Sequence, residues 1–126
     1  MSARTAMSSE EKAHLAYSVL EGKKAIELVR LDVRGRTLMT DFLVIASGTS
    51  DVHIKATVDA VIEKFSENGI KNKRVEGYEQ AAWVLMDYGD VIIHVFAQEQ
   101  REFYRLESYW TGSEKSSPPP LSSEER

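Results

Sequence analysis

The stretch from Met86 to His94 has the chemically most suggestive spacing in the chain. It reads MDYGDVIIH, with Asp87 and Asp90 on either side of a Tyr-Gly pair and the histidine at its end. Two neighbouring carboxylates are a common element of magnesium sites. The stretch also suits a β-hairpin, because glycine supplies the positive φ of a tight turn and aspartates accept hydrogen bonds from turn amides. Since strand-like runs flank the turn on both sides, we favour the hairpin and keep the metal site as the alternative.

A second stretch, Ser-Gly-Thr-Ser at 47–50, lies between an apolar run and a helical pattern. The amides that begin a helix can bind phosphate. With Asp87 and Asp90, such a loop would suit a metal-dependent nucleotidyltransferase, whose carboxylates hold the metals that align a triphosphate. The chain has no Walker pattern and no second glycine in this loop. We therefore favour a simple N-cap, in which Ser50 or Thr49 accepts a hydrogen bond from the first turn.

The three histidines do not have the spacing of a metal site. His14, His53 and His94 are far apart, and the chain has no cysteine to complete a cluster. His94 shares a predicted strand face with Ile92 and Phe96, which is typical of a hydrogen-bonded structural histidine. A serine triad is disfavoured because the G-x-S-x-G motif is absent. We predict no catalytic residue, no metal and no cofactor.

The composition limits the classes of protein to which the chain can belong. A length of 126 residues suits one domain, and the lack of cysteine excludes disulfides. The formal net charge is -4 and basic residues are scattered among acidic ones, which argues against direct nucleic-acid recognition. No apolar run is long enough for a membrane span, and the N-terminus lacks a secretory signal. We predict a cytoplasmic protein with a protein partner, which can itself be basic.

Hydrophobic patterning predicts the elements that position these residues. A capping box at Ser8–Glu11 begins the first helix, and an apolar stripe predicts a second helix before Gly69. The fold class is α/β, with a mixed five-stranded sheet packed with about three helices. The predicted helices cover 9–21, 50–68 and 98–110, and the predicted strands cover 25–33, 41–47, 73–77, 81–87 and 90–96. The second and third strands are expected to run parallel, joined by a right-handed crossover.

The two ends of the chain differ from the predicted domain, which covers 8–110. Residues 1–7 are predicted to be a flexible N-terminus. Residues 111–126 contain a proline run, many serines and almost no apolar residue. Such a segment buries too little apolar surface to offset the entropy of ordering it, so we predict a disordered tail.

Trp83 is a candidate for an interface. It lies on a predicted strand beside Ala81 and Ala82, after an acidic-aromatic loop, Glu76-Gly-Tyr-Glu79. A tryptophan beside small residues can belong to the core, since large aromatic residues usually bury where they can. It can also anchor a protein interface, where Trp and Tyr are enriched. Both interpretations stay open on the residues alone.

Four segments form an ordered set from about Leu15 to Trp110. They are DFLVIASGTSDVH, VEG, AAWVLMDYGDVIIHVF and REFYRLESYW. Together they resemble the ribosomal silencing factor S (Iojap-like) family, most specifically over Asp41–Ser50 and Asp87–His94. The chain departs from the family pattern at Tyr109, where an aliphatic residue is usual.

The resemblance implies a nucleotidyltransferase-like topology without enzymatic activity. It implies binding to the large ribosomal subunit through its protein number fourteen. That contact would sterically block joining of the subunits, repress translation under nutrient limitation and assist maturation of the large subunit. The alternatives are a metal-dependent nucleotidyltransferase-like enzyme using Asp87 and Asp90, and a homodimeric interaction module.

The resemblance also implies a partner-binding surface. The tryptophan that matches Trp83 belongs to the family's interface with neighbouring sheet residues. We expect Trp83→Ala to abolish binding while the fold survives, and we expect acidic residues to steer the encounter. The predicted surface consists of Trp83, Glu76, Tyr78, Glu79, Leu85 and Asp87.

Overall fold

The described part of the chain, residues 7–98 of a computed structural model, contains one sheet and two helices. The elements in chain order are α1 Ser9–Gly22, β1 Ile26–Asp32, β2 Phe42–Gly48, α2 Asp51–Glu67, β3 Arg74–Glu76, β4 Trp83–Asp87 and β5 Val91–Ala97. Each predicted strand and the first two predicted helices are present, with ends that differ by one or two residues. The predicted third helix lies outside the described residues except for Gln98, and so does the predicted tail.

The sheet is mixed, as predicted. Its strand order is β1-β2-β5-β4-β3. The central strands β2 and β5 are parallel, whereas every other neighbouring pair is antiparallel. It follows that β2 and β3 run in the same direction, as the crossover prediction requires, but β5 and β4 lie between them. The α/β class with a five-stranded sheet is therefore confirmed.

Both helices begin at the predicted caps. The Ser8 hydroxyl accepts from the Glu11 amide at 3.1 Å, and the Glu11 carboxylate accepts from the Ser8 amide at 2.9 Å. This reciprocal capping box satisfies two amides at the start of α1. At the start of α2, the Ser50 hydroxyl accepts from the His53 amide at 3.0 Å. Neither described helix combines the length and the apolar character that a bilayer span needs.

The sheet has two apolar faces. Both helices pack on the first face, where residues such as Leu20, Val58 and Phe65 contact alternate residues of the central strands. The side chains that point the other way form a second cluster, which we call the second face. It consists of Val33, Leu43, Ile45, Trp83, Leu85, Ile92 and Phe96, with His94 in register beside them. Because strand side chains alternate, β2, β4 and β5 contribute to both faces.

Candidate partner-binding site

Trp83 lies at the start of β4 on the second face. Its ring stacks on that of Phe96, the directly opposite residue of β5, with ring centroids 5.0 Å apart. Its indole N–H donates a buried hydrogen bond of 2.9 Å to Nδ1 of His94. Only 8% of the residue is exposed. Trp83 is thus mostly part of the core, and the small exposed remainder does not include its polar hydrogen.

Gly77 determines how the β3–β4 loop approaches this tryptophan. Its φ is +82°, and an added Cβ would lie 2.1 Å from the carbonyl oxygen of Trp83. The amide of Ala81 donates to the carbonyl of Gly77 at 3.0 Å, which closes the loop. Only glycine combines this positive φ with such a close approach at low cost. The glycine of the VEG segment therefore sets the position of the Trp83 backbone.

His94 is fully buried next to this tryptophan. Burial lowers the pKa of His94 from its ordinary value of 6.5 to about 3, so the imidazole is neutral at physiological pH. An indole nitrogen can only donate, and Nδ1 must therefore accept, which places the imidazole hydrogen on Nε2. Nε2 has no hydrogen-bond partner within the described part of the chain. The predicted structural histidine is confirmed, with one nitrogen satisfied.

Charged residues lie along β3 and at the end of β4, on the same sheet face as Trp83. Glu76 is opposite Leu85 and Arg74 is opposite Asp87, so these pairs share the second face. Arg74 contacts Glu76 at 2.8 Å and Asp87 at 3.4 Å. All three side chains are partly exposed, and ion pairs of this kind contribute little to stability. They form a polar rim, whereas Leu85 is itself buried.

Tyr78 and Glu79 contact α2, which covers the first face. The Tyr78 hydroxyl donates to Asp59 of α2 at 3.0 Å, and the Lys55 ammonium lies 5.4 Å from the Tyr78 ring centroid. The carboxylate of Glu79 is 3.9 Å from the Lys55 ammonium, and its side chain is 83% exposed. The six predicted residues therefore form two groups, with these two on the helical side of the sheet and the other four on the second face.

The MDYGDVIIH stretch is a hairpin, as predicted. Gly89 has a φ of +89°, and the Asp87 carboxylate accepts from its amide at 2.8 Å. The Tyr88 amide donates to the carbonyl of Val91 at 2.9 Å and closes the turn between β4 and β5. A turn of this kind fixes the register of the strands that it joins.

The two aspartates of the hairpin do not face a common ligand. Asp87 contacts Gly89 and Arg74, whereas both carboxylate oxygens of Asp90 accept from the Lys12 ammonium, at 3.1 and 3.2 Å. Within residues 7–98, no three His, Asp or Glu side chains are grouped so that they could hold a metal ion. In this conformation, each carboxylate already has its own partners.

The Ser-Gly-Thr-Ser stretch serves helix capping and packing. The Thr49 amide donates to His53 Nδ1 at 3.0 Å, and the His53 amide donates to the Ser50 hydroxyl. A Cβ on Gly48 would lie 2.5 Å from Cγ1 of the fully buried Ile54. Two of the amides that could bind a phosphate, those of Thr49 and His53, are thus already hydrogen-bonded to nearby side chains. Ser50 is the N-cap, as predicted.

The hydrogen bond between Trp83 and His94 is the feature that sequence reasoning missed. The predicted hairpin joins the two strands, and in the observed register Trp83 lies opposite Phe96 and diagonal to His94, which is two residues away along β5. The sequence pattern placed His94 on one face with Ile92 and Phe96 and did not relate Trp83 to that face. Hydrogen-bond pairing depends on side-chain direction, which the register does not specify.

Comparison with known proteins gives consistent matches over most of the chain. The model of a family described as ribosomal silencing factor during starvation matches residues 6–126. The ribosomal silencing factor RsfS of Halalkalibacterium halodurans is 42% identical over 104 residues, covering 82% of this chain and 89% of the relative. A mouse protein named mitochondrial assembly of ribosomal large subunit protein 1 is 31% identical over 100 residues, covering 77% of this chain and 44% of the relative.

Solved structures agree with the sequence matches. A crystal structure of a Chromobacterium violaceum protein superposes with a TM-score of 0.82 at 32% identity, covering 91% of this chain and 96% of that one. A crystal structure of a Bacillus halodurans protein gives a TM-score of 0.74 at 40% identity, covering 84% and 99% of the two chains. The described fold is therefore shared with experimentally determined relatives.

Proposed function

Because this chain belongs to the ribosomal silencing factor family, we propose that it binds the large ribosomal subunit and prevents the small subunit from joining it. The family match over residues 6–126 is the observation that carries this proposal. The contact is made with the large-subunit protein numbered fourteen. Binding represses translation under nutrient limitation, and it assists maturation of the large subunit. We expect the protein to act in the cytoplasm.

The mechanism is steric and requires no catalysed reaction. A domain docked where the two subunits meet excludes the small subunit simply by occupying space. Binding free energy is usually concentrated in a few well-packed residues within a polar rim. Trp83 shares a sheet face with this arrangement of polar residues: Glu76 is opposite Leu85, two residues along β4 from Trp83, and Asp87 is at the far end of the strand. Trp83 contacts the partner through the part of its ring that remains exposed.

Glu79 is the acidic residue best suited to steering a basic partner. Glu76 and Asp87 share the cation Arg74, which cancels part of their field. Among the residues that the structure describes, Glu79 makes a single ion-pair contact, at a long 3.9 Å to Lys55, and its side chain is largely exposed. Exposed charges of this kind affect the rate of association more than the lifetime of the complex.

We propose further that the chain is not an enzyme, as the names of its relatives indicate. Asp87 and Asp90, which the alternative assigns to a nucleotidyltransferase site, are bonded to Gly89, Arg74 and Lys12. Calorimetry with ATP and magnesium chloride tests this point. We expect no heat of binding at millimolar ligand, whereas saturable binding that Asp90→Asn removes would restore the enzymatic alternative.

Binding is tested by co-sedimentation with separated ribosomal subunits. The informative variant is Glu79→Lys, because this exposed residue can be changed without opening the core. Its matched control is Glu21→Lys, the same change of charge at an exposed position near the end of α1. We expect the wild type and the control in the large-subunit fraction and weaker binding of Glu79→Lys. Equal binding of both variants would remove Glu79 from the interface.

Trp83→Ala is a poor test of the interface. The predicted outcome, lost binding with an intact fold, conflicts with a residue that is 8% exposed, stacked on Phe96 and bonded to His94. Truncating a buried tryptophan to alanine costs about 3–5 kcal/mol. Lost binding would then report unfolding as readily as a lost contact.

A further inference from the structure

The Trp83–His94 hydrogen bond removes the one polar group of the indole from the surface. The bond is 2.9 Å long and buried, and the indole N–H is the only hydrogen-bonding group that a tryptophan side chain has. His94 is itself held between neighbouring strands, opposite Ile45 of β2 and Leu85 of β4. Its ring lies nearly parallel to that of Phe96, with a 9° interplanar angle and 6.1 Å between centroids.

We propose that His94 is a positioning residue for partner recognition: it fixes the indole of Trp83 so that the partner meets only the apolar edge of the ring. This inference rests on the proposed function, since it assumes that Trp83 contacts the ribosomal partner. His94 does not touch the partner itself, because it is fully buried. It acts through Trp83 alone.

The chemistry of the partner follows from this arrangement. A free indole N–H in an interface needs an acceptor, since an unpaired buried donor costs free energy. With that donor already bonded to His94, the complementary pocket needs no carbonyl or carboxylate opposite it. The pocket is therefore an apolar depression, and polar contacts are made by the rim that contains Arg74 and Glu76. Fixing the ring before binding also reduces the entropy lost on association.

Two substitutions separate positioning from simple packing. His94→Asn keeps an acceptor, because the Asn side-chain oxygen takes a place close to that of Nδ1. His94→Leu provides apolar volume but cannot accept a hydrogen bond. Because the surroundings of His94 are apolar, the His94→Leu variant is expected to unfold at a urea concentration equal to or higher than that of the His94→Asn variant. If His94 only filled space, His94→Leu would therefore also be the better binder.

The positioning role predicts the opposite order for binding. In the full chain, we expect His94→Asn to bind the large subunit nearly as well as the wild type. We expect His94→Leu to bind about tenfold more weakly while remaining folded. Equal binding by folded His94→Leu and wild type would overturn the proposal, and so would an equal loss in both variants.

A spectroscopic readout follows the hydrogen bond without the partner. The chain has two tryptophans, so Trp110→Phe leaves the Trp83 indole N–H as a single resonance. We expect this N–H to exchange slowly with solvent when His94 is present and in the His94→Asn variant. We expect it to exchange fast in the His94→Leu variant. Fast exchange in the wild type would overturn the role of His94.

Failure of the two proposals can be distinguished. If the wild type does not sediment with the large subunit, the proposed function is wrong and the recognition role of His94 is wrong with it. If the wild type sediments and His94→Leu binds as well, the proposed function stands and only the positioning role is wrong.

Discussion

His94 has an imidazole whose protonation opposes folding. Its folded-state pKa is about 3, against an ordinary value of 6.5, because burial penalises the charged form. As the pH falls below 6.5, the unfolded chain takes up a proton that the folded chain does not. We therefore predict that this residue lowers the free energy of unfolding by about 1.4 kcal/mol per pH unit between about pH 6 and pH 3. Urea unfolding at a series of pH values measures the slope.

One substitution isolates the contribution of His94 to that slope. His94→Asn should remove it, since the amide does not titrate. An identical pH profile for the wild type and His94→Asn would show that His94 titrates alike in the folded and unfolded states.

Trp83 offers a second prediction at the scale of the residue. Trp83→Phe should lower the free energy of unfolding by about 1–3 kcal/mol, because it leaves His94 Nδ1 without its donor in a buried site. Trp83→Ala should cost about 3–5 kcal/mol, because the stack on Phe96 is lost as well. Urea unfolding of both variants measures these losses. A Trp83→Ala variant as stable as the wild type would contradict the prediction.

The sequence predicted the strand of Trp83 and the face that His94 shares with Ile92 and Phe96, but it predicted neither the common face of Trp83 and His94 nor their hydrogen bond. Alternation along β5 places His94 with Ile92 and Phe96, and the prediction of a structural histidine followed from that. The burial of Trp83 could not be predicted, since a tryptophan beside small residues suits either a core or an interface. Its exposure depends on packing across several strands.

At the scale of the element, the β2–α2 junction depends on one glycine. Gly48→Ala would place a Cβ 2.5 Å from Cγ1 of Ile54, which is fully buried and cannot move aside easily. We predict a loss of about 1–3 kcal/mol in the free energy of unfolding, as for other overpacked cores. Urea unfolding measures the loss.

Gly22→Ala is the matched control for that substitution. Gly22 is the last residue of α1, and a Cβ there would meet nothing within 4 Å. Alanine favours the helix over glycine, so we expect a gain of roughly 0.5 kcal/mol. A loss for Gly22→Ala equal to that of Gly48→Ala would mean that steric contact with Ile54 is not the cause.

The elements themselves were largely predictable because their signals are local. The capping box at Ser8, the N-cap at Ser50 and the turn glycine Gly89 each occupy the predicted place. The strand order could not be predicted from local signals, because the pairing of β2 with β5 joins residues about fifty positions apart in the sequence. The placement of Tyr78 and Glu79 on the α2 side depends on that order.

At the scale of the whole molecule, the net charge of -4 should make binding sensitive to salt. Attraction between an acidic domain and a basic ribosomal protein is screened within about 8 Å at physiological ionic strength. We predict that raising the salt concentration slows association more than it speeds dissociation. Surface-immobilised large subunits and a salt series give both rates. Equal effects on the two rates would argue against steering.

The oligomeric state is a separate question at this scale. A homodimer stays a prediction of the aromatic composition. Sedimentation at several protein concentrations tests it, with a molecular mass that rises with concentration as the positive result.

The central claim is that the bound protein prevents the subunits from joining. The most direct measurement mixes purified large and small subunits under conditions that favour joining, with and without the protein, and separates the products by sedimentation. We predict that the protein lowers the joined fraction in proportion to its concentration and sediments with free large subunits. An unchanged joined fraction, with the protein bound to joined ribosomes, would contradict it.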